Sequence, residues 1–130
     1  MENLESLEKA INSELTTKIL SSKVKHDQIN ISIEDNNLIE VIIFLKTHSS
    51  TKFKQLIDLT AVDYPERDKR FKMVYLLLSH EKNSRIKIEF DIKEGEILSS
   101  LTSIFPSANW MEREVFDMYL SLIHISEPTR

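Results

Sequence analysis

Residues 71–92 read FKMVYLLLSHEKNSRIKIEFDI, and this stretch decides the fold. Its first part, Phe71–Leu78, contains one charged side chain, Lys72, which predicts a central strand covered on both faces. From residue 85 to residue 92, charged and apolar side chains alternate, as in a strand with one buried and one solvated face. His80–Ser84 separates the two segments and is predicted to turn the chain back. The stretch therefore predicts two adjacent antiparallel strands.

The segments that precede this pair are predicted to contain a helix and two more strands. Leucine and isoleucine recur at helical spacing from Leu4 onward and predict a helix over Asn3–Leu20. Isoleucine alternates with polar residues over Ile29–Ile33, which predicts a half-buried strand. Phe53–Val62 is predicted to be a further strand. Its apolar face is expected to consist of Ile57, Leu59 and Ala61.

A second helix is predicted between these strands, from Asn37 to about Lys46. Asn37 is expected to cap its N-terminus, with Glu40 three residues on as the reciprocal partner. Apolar side chains then fall on one helical face, although their β-branched character keeps a strand as the alternative. Gly95 follows the strand pair and is predicted to occupy a left-handed turn.

A third helix is predicted after Pro106, with Asn109 as its cap and Glu112 at the capping-box position. Its apolar face is expected to contain Met111, Val115 and Met118, flanked by Phe116 and Tyr119. Charged residues form the opposite side: Glu112, Arg113, Glu114 and Asp117. One interpretation is a solvated face with an Arg113–Asp117 ion pair. The other is an interaction helix, because Trp, Tyr, Phe and Arg are enriched at the centres of interfaces.

These elements predict one α+β domain in a chain of 130 residues. The expected order is helix, strand, helix, antiparallel three-strand meander and C-terminal helix, with the helices packed on one face of a mixed sheet. The sequence contains no cysteine and a single glycine, which excludes thiolate metal sites and glycine-rich phosphate loops. A formal net charge of -4 argues against nucleic-acid binding. The sequence predicts no signal peptide and no membrane span.

Two segments of the sequence carry a family resemblance. Asp58–Pro65 reads DLTAVDYP, and Pro106–Tyr119 reads PSANWMEREVFDMY. Together with Arg70-Phe71 and Val74-Tyr75, they resemble the 30 kDa subunit of respiratory complex I, which is the C subunit of the proton-pumping NADH–quinone oxidoreductase. The resemblance extends over Leu4–Tyr119 and is strongest from Phe53 onward.

The resemblance implies a non-catalytic subunit of the peripheral arm, which docks on the D subunit of the complex and has the B and I subunits as further partners. It implies that NADH, FMN, iron–sulfur clusters and quinone are held by partner subunits, and that this chain binds no cofactor. The expected location is the cytoplasmic side of the bacterial inner membrane, reached only through the complex. The residues that the resemblance assigns to the partner interface are Asn109, Trp110, Glu112, Arg113, Glu114, Asp117, Tyr119 and Asp63.

Two other functions stay open on the sequence. The same residue block is shared with accessory subunits of membrane-bound hydrogenases and of photosynthetic-type NDH complexes. A small stand-alone enzyme that uses carboxylates is the alternative from another class, and it requires two of Asp58, Asp63 and Asp117 to converge in an apolar cleft.

Residues 120–130, LSLIHISEPTR, depart from the family pattern, since Leu120 stands where the family has glycine. The string resembles a translation of the transposase-adapter DNA used in sequencing libraries. We therefore expect residues 1–119 to be a C-terminally truncated 30 kDa subunit-like domain. Residues 120–130 are expected to be a non-native tail that makes no specific packing with it.

Overall fold

The computed structural model describes residues 4–25, 27–48, 51–81, 83–118 and 124–126. In chain order the elements are α1 (Leu4–Glu14), β1 (Ile19–Lys25), β2 (Gln28–Ile33), a 3-10 turn (Asp35–Asn37), α2 (Leu38–Thr47), β3 (Gln55–Asp63), β4 (Phe71–Ser79), β5 (Ser84–Ile92), β6 (Ile97–Ser99), α3 (Ala108–Met118) and β7 (His124–Ser126). The predicted α+β class and the predicted order of helices and meander strands are confirmed.

Five strands form the main sheet in the order β1-β2-β5-β4-β3. Strands β3, β4 and β5 form the predicted antiparallel meander. Strand β2 joins it by parallel pairing with β5, and β1 pairs antiparallel with β2. The sheet is therefore mixed, as expected, because a crossover that contains α2 separates β2 from the meander.

The predicted first helix is too long at its C-terminal end. Helix α1 ends at Glu14, and Ile19–Lys25 is a strand instead. The Thr16 hydroxyl donates hydrogen bonds to the carbonyl groups of Asn12 (2.8 Å) and Ser13 (3.1 Å), an interaction that competes with helix continuation. Pairing with β2 then satisfies the backbone of the following segment. Ile19 mimics one more helical turn in the sequence, which explains the wrong boundary.

The core lies between the three helices and one face of the sheet. Alternate residues of β4 and β5 are buried on this face, including Tyr75 and Ile88, which are neighbours across the two strands. The opposite face of β4 is only half-buried, so the prediction that this strand is covered on both faces is wrong. We call that uncovered side of the main sheet the open face.

Two local predictions about β3 and α2 also need correction. An irregularity in the β3–β4 register between Leu56 and Asp58 shifts the alternation, so Leu56 and Leu59 are buried while Ile57 is not. Asn37 makes no capping hydrogen bond through its side chain, because the 3-10 turn leads directly into α2. The prediction for Gly95 is confirmed by its φ of 85°.

The C-terminal segment contributes a small second sheet. Backbone pairing joins His124–Ser126 to Ile97–Ser99 in parallel, which contradicts the expectation that residues 120–130 make no specific packing. Main-chain pairing of this kind depends on a free strand edge more than on side-chain identity. It therefore does not test whether the segment is native. None of the helices in the described ranges is long and apolar enough to cross a membrane.

Candidate functional site

Helix α3 carries most of the predicted interface residues, and its inner side is fixed to the sheet. Ala108 and Val115 are buried in the core, and Met111 packs against them. The Ser107 hydroxyl donates a hydrogen bond of 3.2 Å to the carbonyl oxygen of Leu56 in β3. The helix therefore has a defined position over β3, with its other side turned away from the protein.

Glu112 belongs to the buried side of α3, although the sequence pattern placed it on the charged side. It is only 5% exposed, because position 112 falls between Ala108 and Val115 on the same helical stripe. Its carboxylate accepts hydrogen bonds from the Ser100 hydroxyl and the Leu101 backbone N–H, both at 2.7 Å. The predicted capping box with Asn109 is thus wrong. Glu112 instead ties α3 to the loop at residues 100–102.

Two further polar groups, the hydroxyls of Thr102 and Tyr75, belong to the surroundings of the Glu112 carboxylate. The Thr102 hydroxyl lies 3.3 Å from the Glu112 carboxylate and 2.9 Å from the Ser100 hydroxyl. Tyr75 of β4 is fully buried, and its hydroxyl has no hydrogen-bond partner among the described residues. Burial raises the pKa of Tyr75 well above its ordinary value, and the nearby charge of Glu112 raises it further. We call these residues the Glu112 cluster (Tyr75, Ser100, Leu101, Thr102 and Glu112). In it, the loop donates hydrogen bonds to the Glu112 carboxylate, whereas the Tyr75 hydroxyl has no partner among the described residues. In the sequence, the feature that points to this cluster is the pair of hydroxyl residues, Ser100 and Thr102, on either side of Leu101.

The outer face of α3 is composed of Asn109, Trp110, Arg113, Glu114 and Asp117, all exposed. Trp110 is 65% exposed and has Arg113 and Glu114 one turn further along the helix. Helix α3 begins at Ala108, so Asn109 lies inside the helix and does not cap it. Arg113 and Asp117 form no ion pair with each other within the described part of the chain. A large exposed aromatic side chain beside charges that form no ion pair with any described residue is typical of a protein-interaction surface.

The apolar pattern on α3 differs from the prediction at Met118. Met118 is 70% exposed and does not share the buried side with Val115. Phe116 is 39% exposed at the margin of the outer face. Tyr119, which the sequence also assigned to this helix, lies outside the described residues.

Asp63 lies at the end of β3 and forms a bidentate ion pair with Arg70, at 2.7 and 2.9 Å. These hydrogen bonds lower the pKa of Asp63 below its ordinary value, and the charge of Arg70 acts in the same direction. The Tyr64 N–H donates to the Arg70 carbonyl at 2.7 Å, so both side chain and backbone close the loop between β3 and β4. None of the described contacts of Asp63 involves α3. The described hydrogen bonds and ion pair of Asp63 thus involve Arg70, while α3 packs on the same strand, β3.

The carboxylates needed for a stand-alone enzyme are dispersed. Asp58 is exposed on β3 and accepts a hydrogen bond of 2.9 Å from the Leu59 N–H. Asp63 is paired with Arg70, and Asp117 lies on the outer face of α3. None of the hydrogen bonds found among the described residues joins two of these acids. No group of three described His, Asp or Glu residues could hold a metal ion.

Comparison with known protein families identifies the family to which the chain belongs. Residues 31–120 match the family described as "Respiratory-chain NADH dehydrogenase, 30 Kd subunit". The chain belongs to this family. The match begins within β2, at residue 31, and includes β3 to β5 and α3 with its outer face, and it confirms the resemblance seen in the sequence.

Curated relatives in the 30 kDa subunit family bear the name of the C subunit of NADH-quinone oxidoreductase. The protein from Ruegeria pomeroyi is 48% identical over 101 residues, which cover 78% of this chain and 50% of the relative. The protein from Ruegeria sp. is 41% identical over 119 residues, covering 92% of this chain and 59% of the relative. The chain thus spans about half the length of these relatives.

A solved structure shows that the fold extends beyond close relatives of the 30 kDa subunit family. A chain in the structure of the membrane-bound sulfane sulfur reductase, an archaeal respiratory membrane complex, superposes with a TM-score of 0.82. The superposition covers 96% of this chain and 71% of that chain, at 19% sequence identity. At that identity the likeness shows the fold alone.

Proposed function

We propose that this chain acts as a non-catalytic peripheral-arm subunit of a proton-pumping NADH–quinone oxidoreductase. In this role it helps to assemble the quinone-reducing module by docking on the D subunit through the outer face of α3. Family membership supports the complex, and the exposure of Trp110 in the middle of that face supports the surface. NADH, FMN, iron–sulfur clusters and quinone are then bound by partner subunits.

Trp110 is the residue on which the docking proposal depends. A tryptophan side chain that is 65% exposed leaves a large apolar area in water, and a partner would remove this area from solvent. Arg113, one turn along, provides a rigid set of donors for a partner carboxylate. Tryptophan and arginine are also the residue types that most often dominate binding energy, at about 2 kcal/mol or more each.

Glu112 contributes to docking indirectly, by holding α3 in place. Its hydrogen bonds to the Ser100 hydroxyl and the Leu101 N–H fix the helix against a loop before any partner binds. A rigid surface binds with a smaller loss of conformational entropy than a mobile one. We therefore assign Asn109, Trp110, Arg113, Glu114 and Asp117 to the contact surface and Glu112 to its support. Tyr119 is proposed as a continuation of the surface, and Asp63 as a support of the β3–β4 loop.

We also propose the neighbours of the chain in the complex, its location in the cell and the extent of its native domain. The B and I subunits are proposed as further neighbours, and the chain is proposed to reach the cytoplasmic face of the inner membrane only through the complex. Residues 1–119 are proposed to form the family domain, and residues 120–130 to be adapter-derived.

A second candidate is the equivalent accessory subunit of a related membrane-bound redox complex. The observation that favours it is the fold shared with a chain of the sulfane sulfur reductase complex. The two candidates differ in the partner that the outer face of α3 would bind. Identification of the co-purifying subunits therefore distinguishes them.

The test is co-expression of the tagged chain with the B, D and I subunits of an NADH–quinone oxidoreductase from the same source. We expect the D subunit to co-purify with the unchanged chain. Trp110→Ala combined with Arg113→Ala should reduce its recovery by about tenfold or more, since two central residues are removed. The matched control is Lys9→Ala combined with Lys69→Ala, two exposed positions away from α3. Recovery of the D subunit that is equal for all three chains contradicts the proposed surface.

A further inference from the structure

The open face of the main sheet carries a second polar surface, on the side away from the helices. Strand register places its side chains in rows that run across the sheet. One row contains Lys23 of β1, Asn30 of β2, Lys87 of β5 and Leu76 of β4. In the next row Lys25 pairs with Gln28, and Arg85 pairs with Leu78; the β2–β5 register, which begins at Ile29 and Ile86, continues in the same direction to these two pairs. From β1 to β4 each row thus has a cation, an amide, a second cation and a leucine. Strand β3 continues the rows with Asp58 beside Leu76 and Gln55 beside Leu78.

The cations of these two rows form a compact group. Adjacent strands lie about 4.8 Å apart, and residues i and i+2 of a strand about 6.8 Å apart. From these spacings, the backbone positions of the four cations lie at the corners of a rectangle of roughly 10 by 7 Å. We call this group the basic rectangle (Lys23, Lys25, Arg85 and Lys87). The Gln28 amide donates to the Asn30 side chain at 3.1 Å, so the central amides are engaged with each other.

The basic rectangle has little internal neutralisation. Lys23, Lys25 and Arg85 are exposed and form no ion pair within the described part of the chain. Lys87 has one weak contact, 4.0 Å from Glu89, which is also 3.9 Å from Lys72. Four cations are thus concentrated at one end of the open face, whose other rows carry Glu89 and Asp91, in a protein with a net charge of -4. Such a local excess attracts acidic groups, while the net charge of the whole protein opposes extended polyanions.

An apolar strip borders the basic rectangle. Leu76 and Leu78 of β4 are half-buried on the open face, directly beside Lys87 and Arg85 across the strand pair. A ligand that covers both parts needs carboxylates on one side and apolar groups on the other. In a helix, residues i and i+4 lie about 6 Å apart, close to the spacing of the two rows.

We propose that the open face binds an acidic amphipathic segment of a partner protein. Carboxylates at i and i+4 of that segment pair with the basic rectangle, and its apolar side covers Leu76 and Leu78. This surface lies across the sheet from α3, so the chain would be held between two partners. The inference goes beyond the proposed function and does not depend on it.

The test uses the full chain and a synthetic helical peptide of Glu, Leu and Ala, with Glu at i and i+4. Binding is followed by fluorescence anisotropy and mapped by backbone amide NMR shifts. We expect saturable binding with a Kd below about 1 mM, weakened by added salt, with shifts in β1, β2 and β5. A peptide with Gln in place of each Glu should bind at least about tenfold more weakly.

Charge-reversal variants test whether peptide binding depends on the basic rectangle itself or only on the net charge of the protein. Lys23→Glu combined with Arg85→Glu should weaken peptide binding about tenfold or more. Lys9→Glu combined with Lys69→Glu makes the same change in net charge elsewhere and should stay within about threefold. Trp110→Ala should leave peptide binding unchanged, because Trp110 lies on α3. The proposal for the open face and the proposal for α3 can therefore be refuted separately.

Four results overturn the proposal. These are the absence of saturable binding, an equal effect of the two charge-reversal variants, NMR shifts confined to α3, and binding of anionic phosphatidylglycerol vesicles through the same residues without binding of the peptide. The last result would assign the open face to a lipid surface instead.

Discussion

Replacement of Glu112 by alanine tests the reasoning about how α3 is held. The Glu112 carboxylate is buried and accepts hydrogen bonds from the Ser100 hydroxyl and the Leu101 backbone N–H at 2.7 Å each. Alanine removes both acceptors. The two hydroxyls of the loop can still pair with each other, since Ser100 and Thr102 lie 2.9 Å apart. The Leu101 N–H has no such substitute and becomes a buried donor without an acceptor.

The expected loss of stability follows from these contacts. A stranded buried donor costs about 1–3 kcal/mol, and the lost side-chain packing adds about 1 kcal/mol. Alanine also removes the free-energy cost of burying the Glu112 carboxylate, and this gain offsets part of the loss of stability. We therefore expect Glu112→Ala to lower the free energy of unfolding by about 2–3 kcal/mol. Glu112→Gln keeps one acceptor oxygen and should cost about 1 kcal/mol.

Urea denaturation followed by circular dichroism measures these differences. For Glu112→Ala we expect the midpoint to fall by about 1–2 M, given typical m-values for a domain of this size. Glu114→Ala is the matched control, because Glu114 is an exposed glutamate on the same helix and should change stability by less than about 0.5 kcal/mol. Equal midpoints for Glu112→Ala and Glu114→Ala would refute the account of Glu112 as the tie between α3 and the loop.

Three further predictions concern other parts of the chain. Tyr75→Phe removes a buried hydroxyl without a described partner, so thermal denaturation should show stability unchanged or raised by up to about 1 kcal/mol; a clear loss contradicts this. Arg70 lowers the pKa of Asp63, so the stability that this pair contributes is present above the unfolded pKa of about 4 and is lost as pH falls below it. Asp63→Asn should therefore be less stable than the unchanged chain at neutral pH and converge with it in acid, and a constant difference across this range would argue against the ion pair. If residues 120–130 are adapter-derived, resequencing of the gene beyond the Tyr119 codon should give a glycine codon in place of Leu120, and deletion of these residues should lower the free energy of unfolding by less than about 1 kcal/mol.

Regular alternation made most of the sheet predictable. Ile29–Ile33 and the run that ends at Ile92 have one apolar face, and a period of two fixes which side chains enter the core. The burial of Glu112 was not predictable in this way, because glutamate is rarely buried without partners on another segment. Those partners, at residues 100–102, come together with α3 only in the tertiary structure.

The errors in β1, β3 and β4 have a common physical cause. Strands are stabilised by neighbours that are distant in sequence, whereas sequence patterns report local periodicity. Ile19 continues a helical spacing but pairs with β2, and the irregularity at Ile57 depends on its register with β4. The outer face of α3 was predicted from the sequence because the residue types enriched at interfaces, such as tryptophan and arginine, are visible there without knowledge of the tertiary structure. Asp63 was grouped with it by family resemblance, and its pairing with Arg70 could not be read from the sequence pattern.

Site-specific photo-crosslinking from α3 tests the proposed docking surface most directly. A photoreactive amino acid is placed at Arg113 in the full chain, and a second version carries it at Lys9 on α1 as the control. Both are co-expressed with the neighbouring complex I subunits, and cross-linked products are identified by mass spectrometry. The account predicts a product with the D subunit from position 113 and none from position 9. Labelling of the D subunit from position 9 alone, or from neither position, would contradict it.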